Sequence, residues 1–480
     1  MNKKLFKFLF SFLPLVFSPF LISSSYNNIP YNSNSTSETM KEEEIINLEK
    51  LKSNINYVDI KSNNYNAENA KLTILYNENE YQSSNKNILN YKLEFLKKIF
   101  NILNNKIQIT FLPFNNQFEY DEQIKTIEKN KTKYILHLYK NIDANQSSDN
   151  ESISLSYLNK LTVENRIINF SPWTNEENIF DHFLNFFSIS ALNTTKTTEN
   201  LNKITVHEFK TPIETKYNNF YRKQNSDISV NIDGVINNKV NHSANASFYA
   251  SAIFISSFFD FLIYSKSSNI NSDIKIINSF LLSAKKYDFF TEKYFNNQYI
   301  GIGSGFIDYE NAWNTYNDLN SFSIKKTREF LENEVILEKD FSLKKDEIIA
   351  INTNWFLNLV NFNFRTVHFG EIFLDSLNIL TTIDILKNRE NSEFIKKHLK
   401  SNEHTFFIEN KFNNNLDLVL EFFDNDWKVV AISEATIKNY EEIKYKVKYD
   451  GRYKIKLIAK TDLPSINEIH LNFVQKKSDS

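Results

Sequence analysis

The chain has 480 residues, 41% of them apolar, with 43 Phe and 24 Tyr. That is enough material for a sizeable core, and the length alone suggests roughly two to four domains. The formal net charge of -2 does not argue for nucleic acid or an anionic surface as the main partner, and the absence of cysteine excludes disulfides, thiol nucleophiles, thiolate metal sites and a lipidated cysteine anchor.

Residues 1–25 have the layout of a secretory signal. Lys3, Lys4 and Lys7 form a basic start, residues 5–22 are apolar, and Ser23-Ser24-Ser25 supplies small residues for cleavage. The alternative is an uncleaved single-span anchor, the one route by which this reading brings the chain to a membrane. Pro14, Pro19 and the small-residue exit favour the signal. Both readings place the remainder outside the cytoplasm, secreted or on the cell surface. Residues 26–70 are Asn/Ser-rich and then charged. They read as a polar linker with one short helix, too short for a core of its own.

From residue 71 short apolar strands alternate with amphipathic helices. Strands are expected at 71–77, 106–114, 133–141, 166–173 and 203–209. Helices are expected at 90–100, where Leu93, Phe95, Leu96, Ile99 and Phe100 form a stripe, and at 120–130 and 154–165. Alternating β and α units argue for an α/β fold, a parallel sheet with helices on both faces. Functional groups in such sheets sit at the carboxyl ends of the strands. Three places follow: just after Leu75, at 172–175, and at the start of the helix that carries Ser247.

That helix lies in NHSANASFYASAIFISSFFDFLIYSK (241–266), a small-residue opening that runs into a long apolar stretch. A second helix follows at 277–286, then a glycine-rich turn, GIGSGFIDYENAW (301–313). With LNKITVHEF (201–209) and DISVNIDGV (227–235) these pieces stand in an order that resembles the subtilisin-like serine peptidases, over residues 71–313. The resemblance implies a Ser-His-Asp site with an oxyanion hole and no cofactor or metal.

The family's aspartate follows the first strand, where this chain has Tyr76. Its histidine opens the next helix, which here begins near Tyr91, and no histidine precedes His137. His137 falls inside an apolar strand, which favours a core role. Asn175 falls at the oxyanion amide, with Ser190-Ala191-Leu192-Asn193 as a second candidate for that loop. Ser247 falls at the nucleophile, without the family's flanking Gly and Pro, and Ser243 and Ser251 are alternatives one helical turn away. A serine without a base is a weak nucleophile, so a structural serine is the favoured reading. A rearranged site would have to use His242 beside Ser243, or Glu78 near Tyr76. His182 and His207 are isolated, and no His/Asp/Glu cluster has metal-ligand spacing.

Residues 335–480 alternate apolar and polar positions with period two at 346–360, 415–433 and 441–460, and Asp450-Gly451 signals a hairpin or turn. A β-sandwich is expected, resembling the jelly-roll domains that follow many secreted bacterial peptidases. A mixed helical insert is expected at 372–400. The expected organisation is therefore a signal at 1–25, a linker at 26–70, a subtilisin-like domain at 71–330 and a β-sandwich at 335–480. The corresponding function is a catalytically impaired peptidase homologue that binds a protein or peptide. An active endopeptidase using Ser247 and a purely structural surface protein are the alternatives.

Overall fold

The computed structural model describes residues 48–60, 70–79, 86–139, 158, 161–173, 185–196, 202–207, 226–232, 243–264, 272–285, 304–325, 330–357, 416–433, 440–460 and 466–476. The expected signal and the insert at 372–400 lie outside them.

Within 44–480, one compact unit, the chain runs α1 (Leu48–Asn54), β1 (Lys71–Asn77), α2 (Lys86–Leu103), β2 (Gln108–Phe114), α3 (Gln117–Lys129), β3 (Tyr134–Leu138), β4 (Ile168–Pro172), β5 (Phe186–Lys196), β6 (Asn202–His207), β7 (Ile228–Asn231), α4 (Ser243–Tyr264), α5 (Ser272–Ser283) and α6 (Tyr309–Asp318). Eight strands follow: β8 (Asn320–Lys325), β9 (Val335–Leu343), β10 (Ile348–Leu357), β11 (Leu416–Asp424), β12 (Asp426–Ser433), β13 (Tyr440–Lys446), β14 (Gly451–Ala459) and β15 (Ile466–Lys476).

The fold is mixed α/β. One sheet has the order β2-β1-β3-β4-β5-β6, with β7 also paired to β5. Its strands are parallel except β6, which pairs antiparallel with β5. Strand geometry sends alternate side chains to opposite faces, and here both faces are buried. Leu72, Ile74 and Tyr76 of β1 join Tyr134, Leu136 and Leu138 of β3 in a core with α2, α4, α5 and α6. Leu75, Ile135 and Tyr139 face the other way, onto Tyr120, Ile124 and Ile127 of α3 and onto Leu158 and Leu161. Three strands of this sheet differ from the sequence reading. β5 and β7 were not anticipated as strands, and β6, anticipated as a successive strand, folds back on β5 as its antiparallel partner.

Helix α4 is apolar all round. The stretch Ser247–Tyr264 is long and apolar enough to cross a membrane by composition, yet 94% of it is buried inside this fold. A helix buried on every side must satisfy its own polar groups. Ser251, Ser256 and Ser257 donate their hydroxyls to the carbonyls of Ser247, Ala252 and Ile253, each one turn back. Asp260 accepts from Asn104 Nδ2 (2.7 Å) and from the hydroxyls of Tyr57 and Tyr309 (3.3 Å each). Burial pushes its carboxyl up to about 7. Tyr57 belongs to the segment after α1, and the expected linker is thus partly built into the core. Leu51 and Ile55 are buried, and the carbonyls of Ile55 and Asn56 accept the amides of Tyr309 and Glu310 at the start of α6.

The C-terminal strands make two four-stranded antiparallel sheets, β13-β10-β15-β8 and β12-β11-β14-β9. Asp450-Gly451 is a turn, but its flanking strands lie in different sheets, so it carries the chain across rather than closing a hairpin. The tight hairpin is instead β11–β12, turning at Asn425 with φ 61°. β8 begins two residues after α6 ends, yet it pairs with β15. The two lobes are locked by specific groups. Lys444 of β13 donates to the carbonyls of Leu281 and Ala284, supplying a cation at the C-terminus of α5. Arg166 pairs with Glu468 at 2.6 Å, and Ser304 donates to Glu442 at 2.6 Å.

Of the glycine turn, Gly305 shows why glycine is needed. Its φ is +126°, and a Cβ there would lie 2.3 Å from the backbone oxygen of Lys285. Its carbonyl accepts from Ser229 of β7. Gly305→Ala is expected to lower unfolding free energy by more than about 2 kcal/mol, measured by urea denaturation. A loss below about 0.5 kcal/mol would contradict this placement.

Candidate functional site

The connection that leaves β1 packs on one face of the sheet, through α2, and the one that leaves β3 packs on the other, through Leu158 and Leu161. The crevice for a ligand in such a sheet lies beyond the carboxyl ends of these strands. Tyr76, one residue before the end of β1, lies beside Leu138 of β3 and Pro113 of β2. It is largely buried and meets Phe111 edge-on at 6.3 Å between centroids. Burial, and then the Glu78 carboxylate, raise its phenol above the usual range. A neutral phenol in this position does not supply the fixed negative charge that orients a catalytic imidazole.

Glu78 is engaged in a local knot. Its Oε2 accepts from Asn115 Nδ2 (3.1 Å), which is shared with Glu119 Oε2 (3.1 Å). Asn116 caps α3 by accepting from the Glu119 amide (3.0 Å), and the Glu119 carboxylate accepts from the Asn115 amide (2.8 Å). This reciprocal cap explains the dense Asn/Glu usage at 77–79 and 115–119 without invoking a reaction. Tyr91 lies in the second turn of α2, which begins earlier than expected, at Lys86. The side chain of Tyr91 is outside the described residues, as is Asn175.

Ser247 is the best-defined candidate. Helix α4 starts at Ser243, so Ser247 sits a full turn inside it. Its side chain is fully buried. Its hydroxyl donates to the backbone carbonyl of Trp173 at 2.5 Å, and the Trp173 amide in turn donates to Ile189 of β5 at 2.8 Å. Two of the three expected places, the end of β4 and the first turns of α4, therefore meet through this bond. Tyr249, two residues on and so nearly on the opposite side of the helix, packs edge-on against Phe95 of α2 at 4.6 Å. A carbonyl oxygen is not a base at neutral pH, so this bond orients the hydroxyl without activating it. The alternative Ser251 bonds its own helix through the Ser247 carbonyl (2.7 Å). Ser190 and Ala191, from the second oxyanion candidate, are buried within β5, where Ser190 Oγ lies 2.5 Å from Ser229 Oγ of β7.

Of the eight histidines, the side chains of His137 and His470 are described. His137 is wholly buried on the α3 face. Its Nε2 lies 2.9 Å from Asn169 Oδ1 and its Nδ1 3.2 Å from the Tyr139 hydroxyl. Asn169 Nδ2 donates to Thr162 Oγ1 (2.7 Å), which donates to the Leu158 carbonyl (2.8 Å). The acceptor Asn169 Oδ1 places the proton on Nε2, giving one neutral tautomer. Both ring nitrogens have partners within this network. Burial lowers the imidazole to about 3, against a raising contribution from Asn169. His470 belongs to β15, in the antiparallel lobe. Among the described residues no group of three or more His, Asp or Glu could hold a metal ion.

No family model matches the chain, and no curated protein matches it. Among solved structures, the crystal structure of a Sulfurospirillum deleyianum protein is similar over 32% of this chain and 96% of its own, at 10% identity and a TM-score of 0.17. A likeness at this score carries no argument about fold or activity.

The His137 network has a pH signature. The imidazole is neutral in the fold to about pH 3, whereas an unfolded histidine charges near 6.5. Its contribution to stability is thus fully present above about pH 6.5 and is lost as pH falls toward 3, at about 1.4 kcal/mol per pKa unit. Urea midpoints between pH 7 and pH 4 should fall more steeply for the wild type than for His137→Asn. Parallel curves would contradict a buried neutral imidazole.

Proposed function

We propose that this chain is a secreted or cell-surface homologue of the subtilisin-like serine peptidases that has lost the catalytic chemistry and acts by binding a protein or peptide. One observation carries the proposal. The serine at the nucleophile position is fully buried, and its hydroxyl is donated to the Trp173 carbonyl. A working nucleophile needs an imidazole to receive its proton and a route for the scissile carbonyl. Tyr76, at the aspartate position, is a buried phenol with its ionisation suppressed. His137, the histidine of the parallel sheet whose side chain is described, is committed to Asn169 and Tyr139. Glu78, the substitute carboxylate, is committed to Asn115. The secretory reading rests on the basic and apolar pattern of residues 1–25.

A fluorophosphonate serine probe and a denatured-casein assay test this. Wild type and Ser247→Ala are both expected to remain unlabelled and to leave casein intact. Labelling or cleavage that disappears in Ser247→Ala would establish an active endopeptidase and sink the proposal.

A further inference from the structure

The chain passes from the α/β lobe to the antiparallel lobe once, at Leu319 between α6 and β8. What holds the lobes together is largely polar. Besides the bonds from Lys444 and Ser304, Asn278 of α5 accepts from Asn352 (3.0 Å) and Asn354 (2.8 Å) of β10. A small apolar contact sets Leu282 and Leu319 against Ala350 and Val474. Lobes joined by one crossing and a polar interface are the ones that move against each other.

Glu468 and His470 stand two residues apart on β15, on the face that also carries Val474 and so turns toward the α/β lobe. Arg166, two residues before β4, holds Glu468 Oε2 at 2.6 Å, and Ser323 of β8 donates to Oε1. The His470 side chain is 2% exposed, and its Nε2 is buried with no hydrogen-bond partner among the described residues. That nitrogen lies 3.9 Å from the same Glu468 oxygen that Arg166 holds. Across the sheet His470 is flanked by Asn354 of β10 and Ser323 of β8, and Lys325 of β8 stands opposite Glu468. Among the described residues the charges that act on the imidazole are Glu468 and Arg166.

Burial lowers this imidazole below its usual range, the Glu468 carboxylate opposes the shift, and Arg166 adds to it. A solvated histidine charges near 6.5. The proton therefore binds more tightly once the lobes part and His470 meets water, and acid shifts the balance toward the parted form. The stability that neutral His470 gives the closed form is whole above about pH 6.5 and is lost as pH falls below it. We propose that Arg166, Glu468 and His470 form an acid-released latch between the lobes. Protonated His470 competes with Arg166 for Glu468, and the antiparallel lobe swings away about Leu319. The latch does not depend on the peptidase reading, because no residue is shared with the region around Ser247.

The chain has no cysteine, so Lys129→Cys on α3 and Glu332→Cys before β9, both at exposed positions, give one spin label on each lobe of the full chain. A single distance between the labels is expected at pH 7. Between about pH 6.5 and pH 4 a second distance should appear while far-ultraviolet circular dichroism stays unchanged. His470→Asn should move the midpoint down by about one pH unit or more, and Arg166→Ala should move it up. Glu468 is present in His470→Asn, so an unmoved midpoint there assigns the transition to another group and overturns the latch. So does a single distance down to pH 4, or a second distance that appears only as helix signal is lost. If His470→Asn does not fold, the labelled chain with His470 intact decides. Its opening midpoint must match the titration of the His470 ring followed by nuclear magnetic resonance, and a mismatch of more than about one pH unit overturns the proposal.

Discussion

Everything in the α/β lobe depends on burying one helix completely. Helix α4 offers apolar side chains around its whole circumference and therefore needs neighbours on every side. The sheet supplies one, through Phe170, Ile189 and Val230, while α2, α5 and α6 enclose the rest. Aromatic contacts run through this shell: Phe254 stacks on Phe187 at 5.1 Å, and Phe261 meets Tyr309 and Trp313 at 5.1 and 5.0 Å. Water cannot serve the helix's polar groups there, so each must find a protein partner. The serines turn back to their own backbone, Asp260 gathers three donors, and Ser247 reaches the Trp173 carbonyl. The same constraint that builds the fold thus determines what the candidate serine does.

Two buried ionisable groups pull stability in opposite directions with pH. The raised carboxyl of Asp260, about 7 against an ordinary value of 3.8, contributes stability that is fully present below about pH 3.8 and lost as pH rises through 7. His137 does the reverse on the acid side. Asp260 accepts from Tyr57, Asn104 and Tyr309, and the tyrosine bonds favour its ionised form while burial outweighs them. His137 instead ties β3 to β4 through Asn169.

The parallel-sheet architecture was legible because its signal is local. Leu72-Thr73-Ile74-Leu75 reads as a strand buried on two faces, and the stripe from Leu93 to Phe100 reads as a helix. The antiparallel sheets were legible from period-two alternation, as at Tyr453, Ile455 and Leu457. What remained hidden is set by tertiary partners. The polar tail Asn193-Thr194-Thr195-Lys196 concealed β5, which is held by pairing with β4, β6 and β7. Asp450-Gly451 announces a turn, but nothing local says that its two strands belong to different sheets. The short segment 48–60 looks too polar to matter, yet Leu51 and Ile55 enter the main core. At the candidate site, the apolar and phenolic end of β1 at Leu75 and Tyr76 was visible in the sequence. The burial of Ser247 and its bond to Trp173 were not, because they join residues 74 positions apart.

The central claim is that Ser247 serves the fold rather than a reaction. Residues kept for catalysis are commonly neutral or costly to stability, whereas a buried structural hydrogen bond contributes to it. Equilibrium urea unfolding of Ser247→Ala measures the difference directly. The structural role predicts a loss of about 1–2 kcal/mol, from a buried hydroxyl that no longer reaches the Trp173 carbonyl. An unchanged or increased stability in Ser247→Ala would contradict it.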